Sequence, residues 1–405
     1  MTSTTTDDRA TVTSVQLTQG TEAPSVSDRV RRFLAETPPP TPCLVIDLET
    51  VRRRFAEVSS ALPEAGIYYA VKANPAPEVV RALAALGCSF DVASPAEIDL
   101  CLAEGAAPET ISYSNPIKKA AQVAYAYARG VRMYACDSEA DLDNLAAHAP
   151  GSSVFCRTLL RDKGSIYPFG RKFGCEPEMV VELLARAVEL GLDASGVSFH
   201  VGSQQLDPAG WDSGIATAAE IAAALRDRGV ELTSLNLGGG LPASYRTQAP
   251  PLAEYGAAIR AAVARSFGEH RPRLMIEPGR SIVGEAGVLR SEVVLVSRKS
   301  YRDDTRWVFL DVGKYGGLVE TEGEAIAYPV LTSRDGGPTG PVVLAGPTCD
   351  GDDVLYQHTH YELPLDLAAG DHVDILSTGA YTASYSSVEF NGFEPLRTYC
   401  VDGAE

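Results

Sequence analysis

The chain has 405 residues, 45% of them hydrophobic, which suits two domains with a sizeable core. Its formal net charge of -18 argues against nucleic acids and anionic membranes as partners, because both attract basic surfaces. Eight cysteines occur without a Cys-x-x-Cys pair, and no apolar stretch approaches the roughly 20 residues that span a bilayer, so we expect a cytoplasmic protein with reduced thiols.

Residues 1–27 are rich in Thr and Ser and have no sustained apolar period. They are predicted to form a disordered tail without a targeting signal. Residues 28–46 form a separate N-terminal segment. Within it begins a candidate strand, Thr41–Leu48, which is compatible with pairing in either of the two domains predicted below.

Between about residues 45 and 285, short β-type runs alternate with Ala/Leu-rich segments of helical period. Eight such repeats favour a (β/α)8 barrel of the TIM type over residues 47–284, although a doubly wound open sheet gives the same alternation. The candidate strands are Ile67–Val71, Ser89–Val92, Ile111–Tyr113, Arg132–Cys136, Ser153–Leu159, Gly196–Val201, Ser234–Leu237 and Arg273–Ile276.

Residues 285–405 have a different pattern, with little helical period and frequent Gly, Pro and Asp turns. This pattern predicts a second, antiparallel β domain. Its candidate strands are Val288–Val296, Trp307–Val312, Pro341–Ala345, His372–Leu376 and Thr398–Val401. The pair His358-Thr-His360 is typical of a surface loop, and no metal site is expected.

Each predicted barrel strand ends in a polar group or a glycine cluster. In a barrel these carboxyl ends face the active site, so the regularity supports the fold and a site together. The strand ends are Lys72, Asp91 with Ser94, Ser114-Asn115, Asp137, Arg157, His200, Gly238-Gly239-Gly240 and Glu277-Pro278-Gly279-Arg280.

Lys72 follows the apolar run Ile67–Val71 and precedes the turn-forming pair Asn74-Pro75. Taken alone, a lysine that extends into solvent at a strand end is the commoner interpretation. An apolar neighbourhood would lower its pKa, because desolvation disfavours the ammonium form. A neutral amine in a pocket is what Schiff-base chemistry with a carbonyl compound requires.

The last two strand ends predict an anion site. The triplet Gly238-Gly239-Gly240 allows backbone N–H groups to close on a phosphate, and Arg280 supplies a cationic fork for phosphate oxygens. A Schiff-base lysine together with a phosphate clamp indicates pyridoxal 5'-phosphate. Glu277 is the candidate partner of its pyridine nitrogen, His200 could stack on the ring, and Ser203 could bind the phosphate.

Eight motifs then appear in one order along the chain: Tyr69-Ala-Val-Lys72-Ala-Asn74, Phe90-Asp91-Val-Ala-Ser94, Phe199-His200-Val-Gly-Ser203, Gly238-Gly-Gly240, Glu277-Pro-Gly-Arg280, Gly346-Pro-Thr-Cys349-Asp350-Gly351, Gly379-Ala-Tyr381-Thr and Phe390-Asn-Gly-Phe393. With them the sequence, from about residue 40 to its end, resembles the ornithine decarboxylase group of the fold-type-III, alanine-racemase-like pyridoxal-phosphate-dependent decarboxylases.

The resemblance implies a homodimer whose active sites are shared between subunits. It implies that Lys72 carries the internal aldimine, that Asp91 supports the lysine, that His200 stacks on the cofactor and that Glu277 pairs with the pyridine nitrogen. It assigns the phosphate to Ser203, the loop Gly238–Gly240, Gly279-Arg280 and Tyr381.

The resemblance also assigns the reaction to the second domain. Cys349 would reach the partner subunit's site and protonate the carbanion left after carbon dioxide departs, and Asp350 would bind the distal ammonium of the substrate. A further acidic residue near that ammonium falls on Glu324 when counted forward from Tyr315, and on Gly323 when counted back from Pro329.

Decarboxylation of a basic L-amino acid is therefore expected, with L-ornithine giving putrescine as the first choice, which would suit polyamine biosynthesis. Lysine decarboxylation to cadaverine, or decarboxylation of another diamino acid, is the alternative. A diaminopimelate decarboxylase and a non-catalytic homologue that binds pyridoxal phosphate are more remote. An alanine racemase is disfavoured by Ala73-Asn74-Pro75 and the Cys349 loop.

Overall fold

The computed structural model describes residues 25–160, 164–168 and 170–403. Most of the predicted tail lies outside these residues. The described chain is already packed at Val26, whose exposed fraction is 4%. The hydroxyl of Ser27 accepts a hydrogen bond from the N–H of Val30 and caps the first helix. Ordered packing therefore begins before the predicted boundary at residue 27.

The strands of the described chain are β1 (Cys43–Asp47), β2 (Ala65–Ala70), β3 (Ser89–Val92), β4 (Ile111–Tyr113), β5 (Met133–Cys136), β6 (Ser153–Arg157), β7 (Ser165–Tyr167), β8 (Asp193–Ser198), β9 (Ser203–Gln205), β10 (Ser234–Asn236), β11 (Arg273–Ile276), β12 (Gly287–Ser297), β13 (Arg306–Leu310), β14 (Val330–Thr332), β15 (Thr339–Ala345), β16 (Val354–Pro364), β17 (His372–Leu376) and β18 (Arg397–Val401).

The α-helices of the described chain are α1 (Asp28–Glu36), α2 (Leu48–Ala61), α3 (Pro77–Ala84), α4 (Pro95–Ala103), α5 (Ala120–Ala128), α6 (Glu139–His148), α7 (Pro177–Glu189), α8 (Asp212–Arg226), α9 (Leu252–Phe267) and α10 (Arg280–Val283). None of these helices combines the length and the apolarity that a membrane span requires.

Eight parallel strands form a closed barrel in the order β10, β11, β2, β3, β4, β5, β6, β8. The pairing of β11 with β2, which sets Ile276 opposite Ile67, closes the sheet. Closure confirms the predicted barrel and rules out the doubly wound open sheet. Helices start sharply after the strands because proline and serine stand at their first positions, as at Pro95 after the N-cap Ser94.

A second, eight-stranded sheet is built from β1 and the strands after β11, apart from the barrel. The predicted antiparallel domain is confirmed in its main features, with two parallel pairs, β1 with β18 and β13 with β15. The candidate strand that was left open between the domains belongs here, because β1 lies between β12 and β18.

Strand β16 is absent from the predicted strands. It is eleven residues long and pairs antiparallel with the seven-residue β15. His358 and His360 are exposed on this strand and not in a loop. No group of three or more His, Cys, Asp or Glu in the described ranges is arranged to hold a metal ion.

Candidate active site

Lys72 lies in the single 3-10 turn Val71–Ala73 that ends β2. Its Nζ donates to Oδ2 of the buried Asp91 on β3 at 3.2 Å, and its side chain is 48% exposed. Desolvation lowers the pKa of Lys72, but the nearby Asp91, Tyr381 and Glu277 raise it by more, so the net shift is upward. The expected lowering of this pKa is therefore wrong: the carboxylates stabilise the ammonium form.

The turn that carries Lys72 is fastened to the second domain. The side-chain amide of the buried Asn74 donates to the carbonyl oxygen of Gly379 at 2.8 Å. The N–H of Tyr381 donates to the carbonyl oxygen of Ala73 at 2.9 Å. Tyr381 adopts a left-handed backbone with φ of 57°, which a non-glycine residue holds only when its surroundings enforce it. The lysine turn is thus fixed by contacts between the two domains.

His200 follows β8 with its ring held by the loop after it. The N–H of Gly202 donates to Nδ1 of His200 at 3.0 Å, which places the proton of the neutral ring on Nε2. Burial, together with the nearby cations Arg157 and Lys72, lowers the pKa of His200 well below its ordinary value. The ring is therefore neutral at physiological pH.

Glu277 follows β11 and holds a carboxyl group whose pKa is raised to about 7, chiefly by burial and then by the negative charge of Asp91. Nδ2 of Asn236 donates to its Oε1 at 2.6 Å and opposes this rise. Sequence reasoning missed Asn236. Its signal was an amide at the last position of a barrel strand, where the structure buries it almost completely.

The triplet Gly238-Gly239-Gly240 packs so closely that side chains are excluded. A Cβ on Gly238 would lie 2.2 Å from the carbonyl oxygen of Phe199, and a Cβ on Gly239 would lie 2.9 Å from Nε2 of His200. Gly238 and Gly240 also have φ of 65° and 115°. Only glycine allows this backbone to approach the histidine ring so closely.

Gly279 makes a similar close approach on the lysine side. A Cβ there would lie 2.7 Å from Cβ of Ala73, the neighbour of Lys72. The structure therefore brings the Gly279-Arg280 turn against the lysine turn. The amine, the carboxylate of Glu277, the flat neutral ring of His200 and the glycine cradle together fit pyridoxal phosphate.

Arg280 is buried, and a carboxylate already pairs with it. Nη1 and Nη2 donate to the two carboxylate oxygens of Glu320 at 2.7 and 2.5 Å. Nη2 also donates to Oγ of Ser203 at 3.1 Å, and Nη1 donates to the hydroxyl of Tyr245 at 2.6 Å. The predicted clustering of Ser203 with Arg280 is present. Neither Glu320 nor Tyr245 was predicted.

Cys349 and Asp350 lie in an exposed loop of the second domain. The carboxylate of Asp353 organises this loop, because it accepts from N–H and Oγ1 of Thr348 and from the N–H of Lys314. The N–H of Cys349 donates to Oδ1 of Asn391 at 3.1 Å. Within the described residues, no hydrogen bond or ion pair joins Cys349 or Asp350 to the lysine turn.

Glu324 is bound to β16. Its carboxylate accepts from the backbone N–H groups of Gln357, His358 and Thr359 on β16. Burial raises the pKa of Glu324, but these hydrogen bonds lower it by more, so the net shift is downward. The structure thus assigns Glu324 to the backbone of β16. Gly323, the other candidate, offers no side chain.

One cavity lies beside His200 and another lies beside the Cys349 loop. One of about 510 Å³ opens beside His200 and is lined by Arg157, Thr158 and Phe173 among others. The other, of about 200 Å³, lies under the Cys349 loop against Thr348, Tyr315 and Phe390, and not at Lys72. The first therefore extends the site around the histidine, whereas the second belongs to the surface of the second domain.

Residues 48–284 match the family described as pyridoxal-dependent decarboxylase, pyridoxal binding domain. The chain belongs to this family. It is a pyridoxal-phosphate-dependent carboxy-lyase, and the predicted family, cofactor and enzyme class are confirmed.

Similar proteins act on basic amino acids. A lysine/ornithine decarboxylase of Selenomonas ruminantium is 34% identical over 355 residues, which cover 87% of this chain and 88% of the relative. A solved lysine/ornithine decarboxylase from Vibrio vulnificus, complexed with cadaverine, has a TM-score of 0.83 at 31% identity and covers 93% of this chain and 100% of its own. An arginine decarboxylase of Paramecium bursaria Chlorella virus has a TM-score of 0.84 at 27% identity, covering 92% and 99%.

Proposed function

We propose that the protein decarboxylates L-ornithine to putrescine and carbon dioxide. The broader enzyme class, a decarboxylase of basic amino acids, follows from the similar proteins. The observation that carries the chemistry is the amine of Lys72 at 3.2 Å from Asp91, on a barrel whose neighbouring strand ends hold Glu277 and the glycine cradle. Asp350 beside Cys349 supports ornithine or lysine over diaminopimelate, since a carboxylate suits a distal ammonium.

The residues of the lysine turn bind the cofactor and handle protons. Asp91 holds Lys72 in place through the hydrogen bond from Nζ. The amine must lose a proton before it attacks a carbonyl. Held in this site, pyridoxal phosphate would supply an electron sink for the pair of electrons left when carbon dioxide departs from the substrate. Glu277 would hold a proton on the pyridine nitrogen, and the neutral His200 would cover one face of the ring.

Cys349 and Asp350 are proposed to act in the site of a partner subunit. Their exposed position and their separation from the lysine turn support a shared site in a homodimer. Apolar side chains near the same loop are also exposed, namely Tyr385, Val388 and Phe393 at 52%, 76% and 44%. In this assembly Cys349 of the partner subunit would donate a proton to the α-carbon of the substrate, since a thiol can act as a general acid.

Lysine is the second candidate substrate, forming cadaverine. A specific observation favours it: Glu324, the acidic residue expected to measure substrate length, is bound to the backbone of β16. Without that carboxylate near the distal ammonium, the site would discriminate less between ornithine and the longer lysine.

The presence of both Lys72 and Cys349 argues against a non-catalytic homologue. We infer that the enzyme works in the cytoplasm.

The test measures carbon dioxide release with added pyridoxal phosphate from ornithine, lysine, arginine, 2,4-diaminobutyrate and diaminopimelate. We expect the highest kcat/KM with ornithine and the next with lysine, and none above background in the Lys72→Ala variant. The reverse order would favour the lysine decarboxylase. Preference for diaminopimelate, or no release from any substrate, would refute the proposal.

A further inference from the structure

The buried ion pair between Arg280 and Glu320 joins the barrel to the second domain. The two side chains are only 3% and 8% exposed. Nη1 and Nη2 of Arg280 each donate to one carboxylate oxygen of Glu320. Arg280 begins α10 after the last barrel strand, whereas Glu320 lies in the kinked turn Val319–Glu324. A carboxylate in this bidentate geometry holds the guanidinium as a phosphate would.

Every donor of Arg280 is already engaged. A guanidinium has five N–H groups. Glu320 accepts from two of them and Tyr245 from one. The remaining two, on Nε and Nη2, both donate to Oγ of Ser203. The ring of Tyr381 covers the guanidinium, with its centroid 4.9 Å from Cζ. An incoming anion therefore cannot reach Arg280 without replacing one of these partners.

Glu320 is the partner that a phosphate would replace. Ser203 and Tyr245 are neutral and can remain beside an anion, whereas two anions on one guanidinium repel each other. The backbone of Glu320 is fixed independently of its carboxylate, because its carbonyl oxygen accepts from the hydroxyl of Tyr167 and the N–H of Ile326. The carboxylate can therefore move while the turn stays in place.

We propose that Glu320 neutralises Arg280 in the cofactor-free chain and competes with the phosphate of pyridoxal phosphate for its guanidinium. The inference rests on the proposed phosphate-binding role of Arg280. A buried arginine without a counterion is costly, so Glu320 stabilises the cofactor-free protein. The same contact weakens the binding of a phosphate monoester, because part of the binding free energy is spent on separating the pair. Glu320 is thus a positioning residue that sets how much the phosphate contributes to cofactor affinity.

The experiment compares pyridoxal phosphate with pyridoxal, which lacks the phosphate, in equilibrium binding to the cofactor-stripped protein. Binding is followed by the visible absorption of the cofactor. In Glu320→Gln we expect the Kd for pyridoxal phosphate to fall about tenfold, the low end of what a neighbouring charge does to an ionic equilibrium. The Kd for pyridoxal is expected to stay within about twofold, because it has no phosphate to benefit.

Glu322→Gln is the matched control. It removes the same charge two residues away, but Glu322 is exposed and pairs with Lys314. Neither Kd should change in this variant. Glu320→Asp serves if the glutamine variant folds poorly: the shorter carboxylate pairs less well, so pyridoxal phosphate should bind about two- to fivefold more tightly.

Three results would overturn the proposal. Weaker binding of pyridoxal phosphate in Glu320→Gln would show that Glu320 helps the phosphate to bind. An equal change in Kd for both ligands would indicate a general structural effect. No change in either Kd would show that Glu320 does not compete with the phosphate for Arg280. These constants are measured without substrate, so a failure of the decarboxylation assay would not affect them, and the two proposals can fail separately.

Discussion

The side-chain amide of Asn236 joins Glu277 to the glycine loop. Its Nδ2 donates to Oε1 of Glu277 at 2.6 Å, and its Oδ1 accepts from the N–H of Gly238 at 2.9 Å. The N–H of Glu277 in turn donates to the carbonyl oxygen of Gly238 at 2.9 Å. One buried amide thus positions the group proposed to face the pyridine nitrogen and the loop proposed to face the phosphate.

Asn236→Ala should move the pH profile of the enzyme. The hydrogen bond from Asn236 stabilises ionised Glu277, so its loss raises the pKa of that carboxyl above about 7. Since the carboxylate form is the one proposed to act, we expect the acidic limb of the kcat profile to shift upward by about one pH unit, the size of one hydrogen bond.

The measurement is carbon dioxide release between pH 5 and 9, a range of about four units around this pKa. Asn144→Ala, on α6, whose Nδ2 donates to the carbonyl oxygen of Lys118, is the control. A profile equally shifted in both variants would contradict the assignment.

Lys72→Ala should lose both turnover and the visible absorption of the bound cofactor, because no other described amine donates to Asp91. Lys72→Arg tests whether the amine or only its charge matters. The guanidinium keeps a positive charge beside Asp91 but does not act as a nucleophilic amine at physiological pH. We expect both variants to be at least about a thousandfold slower than the unmodified enzyme. Substantial activity in Lys72→Arg would remove the covalent role of the lysine.

Cys349→Ala should bind cofactor normally and release carbon dioxide more slowly, by on the order of a hundredfold, the usual contribution of a proton donor. Cys400→Ala removes a half-buried thiol from β18 and should leave activity unchanged. Transamination products in the Cys349 variant would indicate that the proton is delivered to the wrong atom.

Mixing inactive subunits tests the shared site. If each site uses Lys72 of one subunit and Cys349 of the partner subunit, a randomly mixed population of Lys72→Ala and Cys349→Ala chains contains some dimers with one intact site. About a quarter of the normal number of sites is then restored. No recovery after dissociation and reassembly, checked against unmodified protein treated in the same way, would argue that each site lies within one chain.

Asp141→Asn should destabilise the barrel. Lys118 is completely buried, and its Nζ donates to Oδ2 of Asp141 at 2.7 Å and to the carbonyl oxygens of Asn115 and Ala135. Removing the carboxylate leaves a buried ammonium without a counterion, which costs about 3–5 kcal/mol. Thermal unfolding should show a clearly lower Tm. Asp143→Asn, on the exposed face of the same helix, should change the Tm little, and equal losses in the two variants would contradict the role of the buried pair.

The barrel was predictable because its strands are short apolar runs that end at turn residues. Ser89–Val92 and Arg273–Ile276 have the same bounds in the sequence prediction and the structure. Strand β16 was not predicted, since polar residues such as Gln357 and His360 interrupt its apolar pattern. A strand at the edge of a sheet is specified by its pairing partner more than by its own composition.

The site was predictable where a residue type at a strand end defines the chemistry, as with Lys72 and Glu277. Its electrostatics were not, because they depend on neighbours from other strands. The ammonium of Lys72 is stabilised by Asp91, which the sequence places 19 positions away. Arg280 and Glu320 are 40 positions apart and meet only when the second domain packs on the barrel.

The pairing of β1 with β12 and β18 has a consequence for how the protein is made. β1 leaves the ribosome before any barrel strand, but its partners follow only after residues 287 and 397. The barrel strands between them all pair with one another and are complete by Ile276. During translation, both edges of β1 therefore stay unpaired until β12 and β18 have been synthesised. The apolar residues Leu44, Val45 and Ile46 of this strand can promote aggregation during that interval.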